Sequence, residues 1–196
     1  MKRAPISACG FLLALVILLS GCGNQARISG THDVSNGDLE VAARRPLTAW
    51  SEQQRAIDLV DASAAMRAYL DEQGHVWAEV IGTPPPDGDE DRLPRFTVTE
   101  GPRVALGELS FGGDTALGVK RLNDLAAFGP WFTSSSAASA PKRIVRGLRQ
   151  AGHLQAQVAP AHVRWNDERT VAQVHLEIKA GPRFLLSDNA SIWKAT

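Results

Sequence analysis

The chain has 196 residues, a length that allows one or two domains. Hydrophobic residues make up 44% of it and charged residues 21%, which is ordinary for a globular protein. The 21 basic and 21 acidic residues give a formal net charge of zero. This balance argues against a nucleic-acid-binding protein, because such a protein needs a basic surface to meet phosphates.

The N-terminus has the features of an export signal. Lys2 and Arg3 precede an apolar run over residues 11–19. This run is too short to cross a bilayer, because a spanning helix needs about 20 apolar residues. A basic start, a short apolar stretch and a small-residue end together predict a secretory signal peptide.

The predicted signal ends in Leu-Ser-Gly-Cys at residues 19–22, which resembles the bacterial lipobox. The resemblance implies cleavage before Cys22, with a signal peptide over 1–21 and a lipidated tether over 22–25. It also implies sorting to the outer membrane, since Gly23 stands where Asp would favour retention in the inner membrane. Two or more acyl chains hold a protein at a membrane surface without spanning it. The alternative is an ordinary signal peptide with a chance cysteine.

After the tether, the hydrophobic pattern alternates between the helical period and the strand period. The predicted elements of this first part are a strand over 26–31, a short helix over 39–45, a helix from about Ser51 or Ser63 to Gln73, a strand over 75–81 and a strand within 95–104. Gly74 is a natural end for the long helix, because glycine adopts the left-handed conformation without steric cost.

The second part repeats this order. Its predicted elements are a strand over 105–113, a helix over 118–128, a Ser-rich linker over 134–139, a helix that begins near Pro141 and ends before Gly152, a strand over 153–159, a turn over 165–169 and a strand within 170–182. Strands with one apolar and one polar face are typical of a sheet that is covered on one side. We therefore predict an α+β protein with two tandem βααββ units, each a three-stranded mixed sheet packed on two helices.

An internal repeat supports this organisation. The stretches LDEQGHVWAEV (70–80) and LRQAGHLQAQV (148–158) share Leu, Gly-His, Ala and Val at a constant interval of 78 positions. Gly-Pro-Arg at 101–103 recurs at 181–183, which is 80 positions later. The two additional residues fall in the predicted hairpin loop, where insertions are tolerated.

Each copy resembles the POTRA domain of the Omp85 superfamily, which includes outer-membrane barrel assembly factors and autotransporter-assembly factors. The residues that carry the resemblance are Leu70, Gly74, Ala78, Val80, Val98, Gly101, Pro102 and Phe111-Gly112, and in the second copy Leu148, Gly152, Ala156, Val158, Ile178, Gly181 and Pro182. The resemblance implies POTRA-like domains over 26–102 and 103–183, with 184–196 as a tail or the start of a further unit.

The residues themselves predict no catalytic or metal site. Five histidines are spread along the chain, and a zinc site would need cysteines or carboxylates that converge on them. We expect His75 and His153 to be half-exposed residues that open a strand. The acidic loop over 87–92 lacks the spacing of an EF-hand, and the sequence has no nucleophile elbow or phosphate-binding loop. We therefore expect a protein that is not an enzyme and has no cofactor.

A three-stranded sheet exposes edges, to which an extended peptide can add as a further strand. In the POTRA family the second strand commonly serves as this edge, and the resemblance assigns that role to 75–81 and 153–159. The residues predicted to bind clients or partners are His75, Val76, Trp77, Glu79, Ile81, His153, Gln155 and Gln157. Trp77 on a polar face would contact a client, or it would pack on the neighbouring unit or the long loop.

Together these features predict a lipid-anchored protein on the periplasmic face of the outer membrane. Its expected partners are unfolded outer-membrane protein clients or the barrel-assembly machinery, and the membrane through the lipid anchor, but no nucleic acid. Two alternatives remain open. The chain could be the N-terminal periplasmic part of a longer barrel protein of the autotransporter-assembly type, or a docking subunit of an envelope complex.

Overall fold

The structure, a computed structural model, describes residues 25–184. The predicted signal peptide, Cys22 and the tail after Phe184 lie outside this range. Within it, the chain forms two successive α+β units, each with its own mixed sheet, which confirms the predicted fold class. None of the described helices is long and apolar enough to cross a membrane.

The first unit is a three-stranded sheet covered by helices. Its elements are strand β1 (Arg27–Ser29), helices α1 (Asn36–Ala42), α2 (Arg44–Gln53) and α3 (Ala56–Glu72), and strands β2 (Glu79–Thr83) and β3 (Arg95–Thr99). The strand order is β1-β3-β2, with β1 parallel and β2 antiparallel to the central β3. Leu39, Met66 and Phe96 are fully buried between the helices and the sheet.

The first unit has three helices where the sequence predicted two. Pro46 has no N–H for the carbonyl of Ala42, and its ring crowds that carbonyl, so one unbroken helix cannot run through this point. The chain bends at Ala43 instead, with φ −95° and ψ 10°. Helix α3 begins at Ala56, between the two predicted starts, because Gln54 ends α2 in the left-handed conformation with φ 50°.

The second unit repeats the arrangement around β7. Its elements are strand β4 (Ala105–Asp114), helices α4 (Val119–Ala126) and α5 (Ser134–Gln150), and strands β5 (Gln157–Val158), β6 (His162–Trp165) and β7 (Val171–Lys179). Strand β7 is central, with β4 parallel on one side and both β5 and β6 antiparallel on the other. Leu122, Ile144 and Leu176 are fully buried between the helices and the sheet.

The predicted strand over 153–159 is reduced to β5 (Gln157–Val158), and β6 (His162–Trp165) is a further strand that the sequence did not predict. Val158 pairs with Ile178 and His162 pairs with His175, so residues 159–161 face only two residues of β7. Residues 159–161 therefore form a bulge with one extra residue. The bulge includes Pro160, which has no N–H to donate to the ladder.

Helix α5 begins earlier than predicted, because residues 134–139 are its first turns and not a linker. Thr133 caps the helix, since its side-chain oxygen accepts a hydrogen bond from the Ser136 N–H at 3.1 Å. Asp71 of α3 also accepts a hydrogen bond from the Ser134 N–H at 3.0 Å. Pro141 consequently lies inside the helix. The start of α5 depends on a carboxylate from the other unit, which the local composition does not reveal.

A third buried cluster lies where the two units meet. Its buried members are Val104, Phe132, Ala172 and Val174. Val76 and Trp77, from the first unit, pack against it. Apolar contact of this kind couples neighbouring units more firmly than a polar linker does.

Candidate functional site

In each unit, the Gly-His pair ends the long helix. Gly74 has φ +95° and Gly152 has φ +97°, both in the left-handed region. The His75 N–H donates to the Leu70 carbonyl at 2.9 Å, and the His153 N–H donates to the Leu148 carbonyl at 2.9 Å. These bonds define a Schellman motif, which satisfies carbonyls left free at a helix end. The predicted helix stops are therefore confirmed.

The two histidine side chains are buried, which corrects the expectation that they are half-exposed. His75 is 1% exposed and His153 is 9% exposed. The Nδ1 atom of His75 lies 3.2 Å from the Gly101 carbonyl oxygen, and that of His153 lies 2.9 Å from the Gly181 carbonyl oxygen. Because a carbonyl only accepts, each Nδ1 carries the hydrogen. In both units, the Gly-His motif is therefore hydrogen-bonded to the Gly-Pro-Arg motif.

The same corner is closed by further equivalent bonds. Arg103 donates through Nε to the Gln73 carbonyl at 2.8 Å, and Arg183 donates to the Ala151 carbonyl at 3.2 Å. The Val104 N–H donates to the Gly74 carbonyl at 2.9 Å, and the Phe184 N–H donates to the Gly152 carbonyl at 2.9 Å. The Gly-Pro-Arg motif and the residue after it thus connect the C-terminal end of each unit to the end of its long helix.

The edge strands begin later than predicted. After the histidine, the chain turns once more, with the Ala78 N–H donating to the His75 carbonyl at 3.0 Å and the Ala156 N–H donating to the His153 carbonyl at 3.1 Å. The strands therefore start at β2 and β5. The predicted edge residues that precede them lie in turns and not in strands: His75, Val76, Trp77, His153 and Gln155.

Strand β2 forms one edge of the first sheet. Among the described residues it pairs only with β3, in a regular register from Glu79 opposite Thr99 to Thr83 opposite Arg95. Glu79, Ile81 and Thr83 are exposed, and the Ile81 side chain is 62% exposed. A large apolar side chain therefore stands in the middle of an unpaired edge.

In the second unit, the corresponding edge is the broken strand formed by β5 and β6. Gln157 is exposed on it. An open groove runs between this edge and helix α5, and it contains three cationic side chains. The groove residues are Pro141, Lys142, Val145, Arg146, Arg149, Gln150 and Val158.

Trp77 packs on the second unit, which is one of the two positions that the sequence left open. Its ring centroid lies 5.0 Å from that of Trp165 in an edge-to-face arrangement, and the Arg169 guanidinium lies 4.8 Å from its centroid. Among the described residues, the Trp77 indole Nε1 is a buried donor without a hydrogen-bond partner. The Trp77 ring therefore stabilises the contact between the two units by packing, and not through a hydrogen bond from its N–H.

Sequence reasoning missed a group of three side chains around His75. The Nε2 atom of His75 lies 3.8 Å from Asp33 Oδ2. The buried Glu100 carboxylate accepts the N–H groups of His32 and Asp33, both at 2.9 Å. Burial of Glu100 opposes its ionisation, but these N–H donors together with His75 hold the pKa of the carboxyl below its usual value. No local pattern could have revealed the group, because its members lie far apart along the chain.

Comparisons with known proteins support the fold. No family model matches the sequence, and no curated protein matches it. The structure of BamA from Haemophilus ducreyi lacking POTRA domains 1–3 aligns with a TM-score of 0.51 and 19% identity, over 79% of this chain and 29% of that chain. The POTRA3–5 structure of Haemophilus influenzae BamA aligns with a TM-score of 0.48 and 18% identity, over 81% of this chain and 65% of that chain. The likeness to the H. ducreyi structure shows that this chain has a POTRA-type fold.

Proposed function

We propose that this protein is a lipid-anchored POTRA protein of the periplasmic face of the outer membrane. In this role, it binds client chains or partner proteins by strand addition during outer-membrane protein assembly or secretion. The POTRA-type fold, the predicted export signal and the predicted lipidation of Cys22 support the proposal. The observation that carries it is the unpaired β2 edge with the exposed side chain of Ile81.

Within residues 25–184, strand β2 lacks most of the devices by which proteins protect a sheet edge, and Glu79 is its only charged residue. Such devices include proline, lysine, a bulge or a covering element. The sequence of β2 is Glu-Val-Ile-Gly-Thr, and its pairing with β3 has no irregularity. An extended client can therefore add alongside β2 through main-chain hydrogen bonds, with Ile81 as an apolar contact.

The β5 and β6 edge is less suited to this role. Its bulge interrupts the row of main-chain donors and acceptors, and Pro160 supplies no N–H. Clients that add as a strand should therefore prefer the first unit. The cationic groove beside α5 would then contribute a weaker, salt-dependent contact.

Site-specific photocrosslinking in cells tests the proposal. A photoreactive amino acid at Ile81 should crosslink to many unfolded outer-membrane proteins, while the same probe at Val60 should not. Val60 is a matched control, because it is 60% exposed but lies on helix α3. A single crosslinked partner at position 81 would favour the docking role, and no crosslink above the control would exclude strand addition at β2.

Two further variants complete the test. Ile81→Lys places a charge at the centre of the edge and should weaken binding of an extended peptide at least tenfold, whereas Val60→Lys should leave it unchanged. Cys22→Ser should release the protein from the membrane fraction. If the serine variant stays in that fraction, the proposed lipid anchor is wrong.

A further inference from the structure

We propose that Asp33, His75 and Glu100 form a binding site for a single divalent transition-metal cation of the zinc type. One ligand atom from each of the three side chains lies within 4.8 Å of the other two. Ligand atoms at about 2.0–2.2 Å from a tetrahedral zinc ion lie about 3.3–3.6 Å apart. The group therefore needs only a small closing movement to hold an ion. This site is independent of the client-binding edge.

His75 presents a lone pair to the two carboxylates. Its Nδ1–H donates to the Gly101 carbonyl at 3.2 Å, so Nε2 carries the lone pair in the neutral ring. Nε2 makes no hydrogen bond within the described part of the chain, and its nearest charged neighbour is Asp33 Oδ2 at 3.8 Å. A backbone carbonyl that orients the far nitrogen is the usual outer-shell support of a metal-binding histidine.

Glu100 is held rigidly beside this lone pair. It is 5% exposed, and its two oxygens accept the N–H groups of His32, Asp33 and Val34 at 2.9, 2.9 and 3.2 Å. Oε1 accepts two of these N–H groups and Oε2 accepts one, so Oε2 keeps a lone pair that can bind an ion. Because the N–H groups fix its position, Glu100 supplies an oriented anionic ligand without further ordering.

Asp33 provides the third ligand, on the side of the group that is open to solvent. Its side chain is 64% exposed and lies in the turn between β1 and α1. A small rotation of this side chain closes the ligand set, and a water molecule can occupy the fourth position. An ion held in this way would tie the turn before α1 to the end of α3 and to the residue after β3.

The second unit provides an internal comparison. His153 occupies the same corner and makes the same Nδ1–H bond to Gly181. At the position equivalent to Glu100, 80 residues later, the second unit has Ala180. Within residues 25–184, only the first unit assembles three such ligands. His153 makes its structural hydrogen bond without neighbouring carboxylates. The carboxylates beside His75 are therefore not needed for that structural role.

The ligand set selects the class of ion. One imidazole and two carboxylates suit Zn²⁺ and its neighbours in the first transition series, whereas Ca²⁺ takes six or more oxygen ligands. With no thiolate, the affinity should be lower than that of cysteine-rich structural sites, and it should fall when the imidazole is protonated.

Zinc titration calorimetry on the full-length protein in detergent, after treatment with a chelator, tests the proposal. The wild type should bind one Zn²⁺ ion per chain. His75→Asn should abolish this binding, because the asparagine amide can still donate to Gly101 but offers no lone pair in place of Nε2. Asp33→Asn should weaken binding at least tenfold. His153→Asn is the matched control and should bind as the wild type does.

Three outcomes would overturn the proposal. The first is that the wild type binds no zinc, in which case the group is an ion pair only. The second is that His153→Asn weakens binding as much as His75→Asn. The third is that binding depends on the exposed His175 and not on His75. If His75→Asn does not fold, Asp33→Asn decides the question, because Asp33 is exposed, and zinc should raise the Tm of the wild type more than that of this variant.

Discussion

Gly74 is one of several glycines that combine a left-handed backbone conformation with close packing. It has φ +95°, and a Cβ atom added there would lie 3.0 Å from the Cβ of Trp131 in the second unit. Gly88 also has a positive φ, +84°, but a Cβ atom added there would meet nothing within 4 Å. Gly129 lacks both constraints. A comparison of Gly129 with Gly88 therefore isolates the cost of a left-handed backbone for a side chain, and a comparison of Gly88 with Gly74 isolates the cost of the steric clash.

We expect alanine substitutions at these three glycines to differ in a fixed order. Gly129→Ala should change the free energy of unfolding by less than about 0.5 kcal/mol. Gly88→Ala should cost about 1 kcal/mol, because alanine is strained in the left-handed region. Gly74→Ala should cost about 2 kcal/mol or more, since the tryptophan must also move. Urea denaturation measures all three, and an equal loss for Gly74 and Gly88 would contradict the steric contribution of Trp131.

At the scale of elements, ion pairs fix the long loop between β2 and β3. Asp89 of this loop lies 2.9 Å from the Arg95 guanidinium in β3 and 3.4 Å from that of Arg27 in β1. The hydrogen bond from Arg95, followed by the charge of Arg27, lowers the pKa of the Asp89 carboxyl. The loop is therefore tied to the far edge of the sheet and away from β2.

This ion-pair network predicts a pH-dependent contribution to stability. The pKa of Asp89 is lower in the folded state than its unfolded value of about 3.9. Its contribution is therefore present above about pH 4 and is lost as the pH falls through the folded pKa. Asp89→Asn should be less stable than the wild type at pH 7, and the difference should shrink between pH 5 and pH 3.

Urea denaturation at several pH values measures this effect. Asp87→Asn is the matched control, because Asp87 is an exposed residue of the same loop that forms no ion pair within the described residues. A constant difference between Asp89→Asn and the wild type over this pH range would show that the ion pairs contribute nothing.

At the scale of the whole molecule, the junction joins the two units into one body. Trp77 and Phe132 both contact the ring of Trp165, each at 5.0 Å between centroids. Asp71 of the first unit accepts the Ser134 N–H at the start of α5. Apolar contact and a helix cap therefore connect the units at the same place.

We expect Trp77→Ala to uncouple the units and Trp77→Phe to keep them coupled. The alanine variant should lose about 2–4 kcal/mol of stability, as is usual when a large aromatic contact is removed. The phenylalanine variant should lose less than about 1 kcal/mol, because the indole N–H has no acceptor among the described residues. Calorimetry should show one transition for Phe and two for Ala. Leu154→Ala, at an exposed position outside the junction, is the control.

The sequence by itself determined the α+β fold class and the C-terminal ends of the long helices, but it did not predict α2 or β6. These features follow from local rules, because hydrophobic periodicity selects helix or strand and glycine permits the left-handed turn at Gly74 and Gly152. A local rule explains the error at Pro46, whose ring lacks an N–H, but the error at residues 134–139 involves a distant carboxylate that accepts the first N–H of the helix.

Only the tertiary structure decided where the side chains of the repeated motif point. His75 and His153 are buried because carbonyls more than 20 positions away accept their N–H groups. Trp77 faces the second unit, and Asp33, His75 and Glu100 meet in space although they are spread over the whole first unit. Contacts of this kind depend on how the helices and sheets pack, and no periodicity along the chain records them.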